Sequence, residues 1–282
     1  STLLASSAAS DVYKRQGLRC DYHEKYGANV TPKASVMYKV FPFTVRFNYA
    51  RGYRSPSIKE LYMNWDHLGM FWIYGNSKLK PETNNYISLS GEYVNSWINI
   101  NTNIYSNWFR NKIEGMWSND QTELHYTNVG KSHLAGVETM CKVQINRHIN
   151  VHGAYNYLYT SKDADGVRLS SSSPHSGNIR AEYNTRIPRY ATVVNLSGNI
   201  MGKKRFDVLD ELEIEGKKVE AYYQAKVNPY CLWDLTVSQY IMQNLRITAG
   251  ITNLFDYTSD RVTFNTSTSP GRNYFIACDY TL

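Results

Sequence analysis

Residues 97–109 read Trp97-Ile98-Asn99-Ile100-Asn101-Thr102-Asn103-Ile104-Tyr105-Ser106-Asn107-Trp108-Phe109, and their alternation decides the fold. In an extended strand, Ile98, Ile100, Thr102, Ile104 and Trp108 fall on one face and Asn99, Asn101, Asn103, Tyr105 and Asn107 on the other. One face suits hydrocarbon and the other water. The pattern recurs at 43–49, where Phe43, Val45, Phe47 and Tyr49 oppose Thr44, Arg46 and Asn48. It recurs again at 190–202 (Val194, Leu196, Ile200 against Asn195, Ser197, Asn199) and at 245–252 (Leu245, Ile247, Ala249, Ile251 against Arg246, Thr248, Thr252).

Working outward, period two predicts about twelve strands, near 17–23, 33–41, 43–52, 84–95, 97–112, 132–146, 148–160, 174–186, 188–202, 226–240, 242–256 and 272–282. Short turns are expected at Phe41-Pro42, Ser96, Arg147, Ile187-Pro188 and Met242. Long loops are expected at 24–32, 53–83, 113–131, 161–173, 203–225 and 257–271. Strict short-long alternation gathers the tight turns at one end of an antiparallel sheet and the long loops at the other, which is how a transmembrane β-barrel is organised. A soluble β-sandwich also alternates, but its strands run ~5–6 residues. Those here run about ten or more, near the ~9–11 tilted residues that cross a bilayer. Aromatic residues at strand ends, among them Trp97, Trp108, Tyr86, Tyr93, Tyr155, Tyr157 and Tyr159, fit interfacial girdles. The chain closes on an alternating Tyr274, Ile276, Cys278, Tyr280 and Leu282.

Composition narrows the function classes. Of 282 residues 42% are hydrophobic, yet no unbroken apolar run exceeds five, as in Met70 to Tyr74, so no helix of ~20 apolar residues crosses a membrane. The 24 Tyr and 6 Trp beside 26 Asn point to β structure with a wet side. A net charge of +7 is spread singly along the chain rather than in the dense stripe of a nucleic-acid surface. Cys20, Cys141, Cys231 and Cys278 show no metal or redox spacing. Hydrolase, metalloprotease, dinucleotide and P-loop signatures are absent, so the chain reads as a non-enzyme without a cofactor. Residues 1–16 resemble the translation of a sequencing adaptor (Ser6-Ser7-Ala8-Ala9-Ser10-Asp11-Val12-Tyr13-Lys14-Arg15-Gln16). They are expected to be a foreign leader ahead of barrel sequence at 17–282.

Three blocks carry a family resemblance. Arg51-Gly52-Tyr53-Arg54-Ser55-Pro56, Glu60-Leu61-Tyr62 and Gly75-Asn76-Ser77-Lys78-Leu79-Lys80-Pro81-Glu82 form the first. Asn128 and Gly130 with Gly136-Val137-Glu138 form the second; Asn253-Leu254-Phe255-Asp256 with Pro270-Gly271-Arg272 form the third. In this order the blocks resemble TonB-dependent outer-membrane receptors. Physically, Pro56 and Pro81 bracket a loop of about 25 residues, long enough to be functional. Gly130 and Gly136 suit a strand beginning, and Asn253 to Asp256 suit a strand end.

The resemblance implies the last twelve or so strands of a 22-stranded barrel, with a plug domain lying outside this chain. It implies uptake of an iron chelate, siderophore or haem, driven by the TonB-ExbB-ExbD complex, in an outer membrane of lipid and lipopolysaccharide. The aromatic loop offers Tyr62, Trp65, His67, Phe71, Trp72 and Tyr74 as ligand contacts. If the ligand is haem, His67 is the residue that could reach iron; the alternative is that Trp65, Phe71 and Trp72 pack the loop on itself or against its neighbours, with His67 exposed at the tip. The competing reading is a passive twelve-stranded pore or translocator, and a third is an outer-membrane hydrolase.

Overall fold

The computed structural model describes residues 11–69, 71–118, 122–161, 173–214, 217–242, 244–259 and 270–281. The expected leader residues 1–10, Met70, the centres of the 161–173 and 257–271 loops, and Leu282 lie outside them. In chain order the elements are β1 (Asp11–His23), β2 (Gly27–Val40), β3 (Phe43–Arg54), α1 (Ile58–Tyr62), β4 (Asn64–Asp66), β5 (Trp72–Tyr74), β6 (Glu82–Val94), β7 (Ile98–Trp117) and β8 (Glu123–Gln144). They continue with β9 (Ile149–Thr160), β10 (His175–Asn184), β11 (Thr192–Met201), β12 (Lys204–Ile214), β13 (Lys217–Val227), β14 (Tyr230–Ile241), β15 (Leu245–Thr252) and β16 (Asn273–Tyr280). The principal hydrogen-bond path runs β1-β2-β3-β6-β7-β8-β9-β10-β11-β14-β15-β16, twelve strands joined almost entirely to their sequence neighbours.

One compact unit comprises Ser1–Gly91, Asn103–Gly136 and Tyr159–Ser170. Its three-strand start is an antiparallel meander in which Val36 faces Phe47 and Tyr38 faces Val45 on one side. On the other, Ser35 Oγ donates to Asn48 Oδ1 at 2.7 Å, and Asn48 Nδ2 donates to Ser88 Oγ at 3.0 Å. The second unit comprises Glu92–Thr102, Val137–Leu158 and Ser171–Leu282. Its apolar row runs Val151↔Ala181, Ala181↔Leu196, Leu196↔Leu235, Leu235↔Ile251 and Ile251↔Tyr274. Its polar row carries Arg180 donating to Asn195 Oδ1, the Ser238–Thr248 hydroxyl pair and the Arg246–Asp279 ion pair.

Those apolar rows are not covered by protein. Leu18, Phe43, Ile104, Ile179, Ile276 and Tyr274 are exposed, Ile276 by 81%. Buried hydrophobic residues among the described ones are only Leu61, Ile73, Leu79 and Ile113. A sandwich buries one face of each sheet, whereas a sheet exposing an apolar face this extensive requires lipid against it.

Several loops are shorter than the sequence predicts. The 24–32 loop is a turn at 24–26, with Gly27 at φ +71 letting the chain reverse before β2 begins six residues early. Most of 113–131 is strand: β7 continues to Trp117 and β8 starts at Glu123. Gly130 and Gly136 therefore sit inside β8 rather than at its beginning, and Gly130 has open space where a Cβ would stand. The 203–225 loop is the β12–β13 hairpin. The cause is common to all three: β pairing continues as long as backbone partners are available, so a hairpin outgrows the span that lipid requires. β1 likewise extends back to Asp11 by pairing with β2.

Candidate functional site

The chain between β3 and β6 is a built structure rather than a slack connector. Ser57 starts α1 with a capping box: its Oγ accepts from the Glu60 N–H, and the Glu60 carboxylate accepts from the Ser57 N–H at 2.7 Å. Arg54 reaches the same carboxylate with Nη1 at 2.9 and 3.0 Å, and Glu82 with Nη2 at 3.2 Å. Glu82 Oε2 also accepts from the Ile113 N–H at 3.0 Å. Partial burial alone would raise the Glu60 carboxyl, but donation from Ser57 and Arg54 outweighs it and holds the group below the usual carboxylate range.

Beneath this network Leu61, Leu79 and Ile113 pack together, with Tyr126 against them and Leu79 2% exposed. Asn76 shapes the approach to Leu79: its Oδ1 accepts from the Lys78 N–H and its carbonyl from the Leu79 N–H. Asn128 on β8 then fastens the segment. Its Oδ1 accepts from the Lys80 N–H at 2.8 Å, and its Nδ2 donates to the carbonyls of Lys80 and Asn111 at 2.9 and 2.8 Å. Gly75 passes so close to α1 that a Cβ there would lie 2.6 Å from the backbone nitrogens of Tyr62 and Met63. Pro56 is buried and Pro81 half-buried at the two ends.

On this base stands the β4–β5 hairpin, turned at Leu68-Gly69, both at positive φ, with the Gly69 N–H donating to Asp66 Oδ1. β5 pairs parallel with β8, setting Trp72 beside Glu123 and Tyr74 beside His125. The rings follow the register: Trp72 stacks on Tyr74 at 6.0 Å and Tyr74 on His125 at 5.1 Å. A second group joins Trp65, His67, Phe71 and Trp117 at centroid spacings of 4.7 to 4.9 Å. His67 is thus half-buried between Trp65 and Phe71, with Nδ1 buried and unpartnered, not exposed at the tip. Tyr62, Trp65 and Trp72 remain exposed.

The structure brings Trp65, His67, Phe71, Trp72 and Tyr74 into one hairpin and leaves Tyr62 at the end of α1, and it adds Trp117, Glu123 and His125 from the span expected to be a separate loop. Their signal was the alternation of Leu124 and Tyr126 with Glu123, His125 and Thr127. Glu138 lies far along β8 and exposed, away from the hairpin. At the other end of the chain Asn253, at φ +52, closes β15: its Oδ1 accepts from and its Nδ2 donates to the Tyr257 backbone. The Leu254 N–H donates to the Trp233 carbonyl and Phe255 is exposed. Asp256 Oδ1 accepts from the Arg272 N–H at 2.7 Å, after Pro270 and a Gly271 at φ +85.

The family described as TonB dependent receptor-like, beta-barrel, matches residues 16–254. The chain belongs to that family. Its members are outer-membrane proteins, so the exposed apolar rows face lipid. The chain is 24% identical over 284 residues to the iron-regulated outer membrane virulence protein of Vibrio cholerae, covering 93% of this chain and 41% of that protein. It is 24% identical to the ferrienterobactin receptor of Escherichia coli, over 85% of this chain and 34% of the relative. The solved siderophore receptor PirA of Acinetobacter baumannii superposes with a TM-score of 0.74 at 20% identity, over 98% of this chain and 44% of that one. The chain spans about two-fifths of the length of the Vibrio cholerae protein and of PirA.

Proposed function

We propose that this chain supplies barrel strands and a ligand-facing extracellular loop to a receptor that takes up a ferric siderophore across the outer membrane, driven by the TonB-ExbB-ExbD complex. The observation that carries the reading is the stacked row Trp72, Tyr74 and His125 on a loop that keeps its cations outward. Lys59, Lys78 and Lys80 are exposed, while Glu60 and Glu82 are engaged by Arg54, and Asp66 by Gly69. Flat aromatic faces on a loop that also carries exposed lysines suit a planar, anionic chelate, with the Glu123 carboxylate occupied by His125 at 2.7 Å. The names of the relatives, enterobactin and siderophore receptors among them, support the same class. Haem is favoured less, because His67 would have to leave its place between Trp65 and Phe71 to bind iron. Residues 1–16 are read as a foreign leader: Lys14 and Gln16 occupy the row that Leu18, Cys20 and Tyr22 continue with apolar side chains.

Titration of the full-length receptor with a ferric catecholate and with haem tests this. Trp72→Ala and Tyr74→Ala are each expected to weaken the catecholate by ~5- to 10-fold, and His67→Ala to leave it unchanged. Tight haem binding with an absorption shift that vanishes in His67→Ala would replace the siderophore reading with the haem one.

A further inference from the structure

The strands carry a second recess, away from the aromatic hairpin. It has a volume of about 640 Å³ and is lined by Ile87 on β6, Trp108 and Arg110 on β7, Lys131 and His133 on β8, and Ser161 just past β9. Alternation places Trp108 and Arg110 on the apolar side of β7 with Ile104, and pairing places His133 on the same side. His133 lies flat on Trp108 (5.2 Å between centroids, 1° between planes), meets Tyr159 edge-on, and bonds Ser106 Oγ through Nε2 at 2.6 Å. Arg110 and Lys131 are both exposed. Among the described residues no carboxylate lines the recess and neither cation has an ion-pair partner.

A cation on the lipid face costs ~2–4 kcal/mol at the bilayer midplane and about 0–1 near an interface. These two stand near the interface, because Trp108 lies eleven positions from Trp97, one tilted crossing of ~9–11 residues. They also lie toward the long loops: β6 begins at Glu82, β9 ends at Thr160, and the recess takes Ile87 and Ser161 from beside those ends. The recess therefore combines unpaired positive charge and an aromatic platform with apolar strand surface running away from it. That is the chemistry of an anionic headgroup whose acyl chains lie along the sheet.

We propose that this recess binds a phosphate of an outer-leaflet lipid headgroup, with Arg110 and Lys131 holding the phosphate and the Trp108–His133 stack forming its floor. The proposal rests on the family's outer-membrane location but not on the identity of the transported ligand.

The test is native mass spectrometry of delipidated full-length receptor, without any iron chelate, against three probes: a bisphosphorylated lipid A, the same lipid dephosphorylated, and inorganic phosphate. The phosphorylated lipid is expected to bind roughly tenfold or more tightly than the dephosphorylated form. The Arg110→Gln/Lys131→Gln pair should remove that preference, while Arg180→Gln on the polar face keeps it. Inorganic phosphate should neither bind nor displace the lipid. Equal binding of the two lipids, a preference that survives the double substitution, or displacement by inorganic phosphate would each overturn the proposal. The lipid comparison uses the unaltered protein, so it decides even if the double variant fails to fold.

Discussion

In Leu79→Ala, the segment between β3 and β6 is expected to lose about 2–5 kcal/mol of local stability, the usual cost of emptying a fully buried leucine site. Leu79 is the most buried large side chain described, and its partners are few: Leu61, Ile113 and the partly buried Tyr126. So small a cluster has little with which to fill the space, which places the loss toward the upper part of that range. The strands themselves are held by continuous backbone pairing and lipid contact and should persist. The readout is hydrogen exchange of the full-length receptor. The Leu61, Met63 and Asn76 amides, which bond within this segment, should exchange at least about thirtyfold faster, while β10 and β11 stay protected. Unchanged protection at those three amides would show that the loop does not depend on this core.

The Glu60 carboxylate should give the second large effect. It accepts from the Ser57 N–H and hydroxyl and from Arg54, with its side chain 13% exposed. Glu60→Gln keeps the shape but removes the charge, turning charge-assisted bonds into weaker ones, and is expected to cost about 1–3 kcal/mol of loop stability. The same carboxylate sets a pH dependence. Its pKa in the folded loop lies below that in the unfolded chain, so its contribution is complete above the ordinary carboxylate value of ~4.3 and is lost as pH falls through the lower folded value. Loop protection, with intrinsic exchange rates divided out, should therefore be flat from neutral pH to about 5 and decline below ~4. In Glu60→Gln that decline should be smaller. An identical acid decline in both proteins would assign it to other carboxylates.

The part of this architecture legible in the sequence is the part that lipid and water dictate. Ile98 to Trp108, and Val194, Leu196 and Ile200 against Asn195, Ser197 and Asn199, could be read because each residue answers to a medium on its own side of the sheet. Strand limits beyond the membrane escaped because nothing there enforces alternation. β7 runs on to Trp117 and β8 starts at Glu123 through backbone pairing, which leaves only a weak trace in side-chain pattern. The aromatic residues from Tyr62 to Tyr74 stood out by composition. Their partners Trp117 and His125 did not, because His125 reaches the hairpin through a parallel pairing of β5 with β8 across some fifty residues of chain and Trp117 reaches it from the end of β7 by packing on Phe71. Arg54, Glu60 and Glu82 drew attention as motif positions, but their joining in one ion-pair network depends on how α1 folds back. His67 shows the limit most plainly: the sequence offers a histidine at a loop tip, and packing against Trp65 and Phe71 decides what that histidine can reach.

The central claim is energised uptake of a ferric chelate, and whole-cell accumulation of radiolabelled ferric siderophore by cells expressing the full-length receptor measures it most directly. The account predicts accumulation that requires the receptor and an intact TonB complex, with binding but no accumulation when TonB is deleted. Equal accumulation with and without TonB would contradict it and assign the strands to a passive pore.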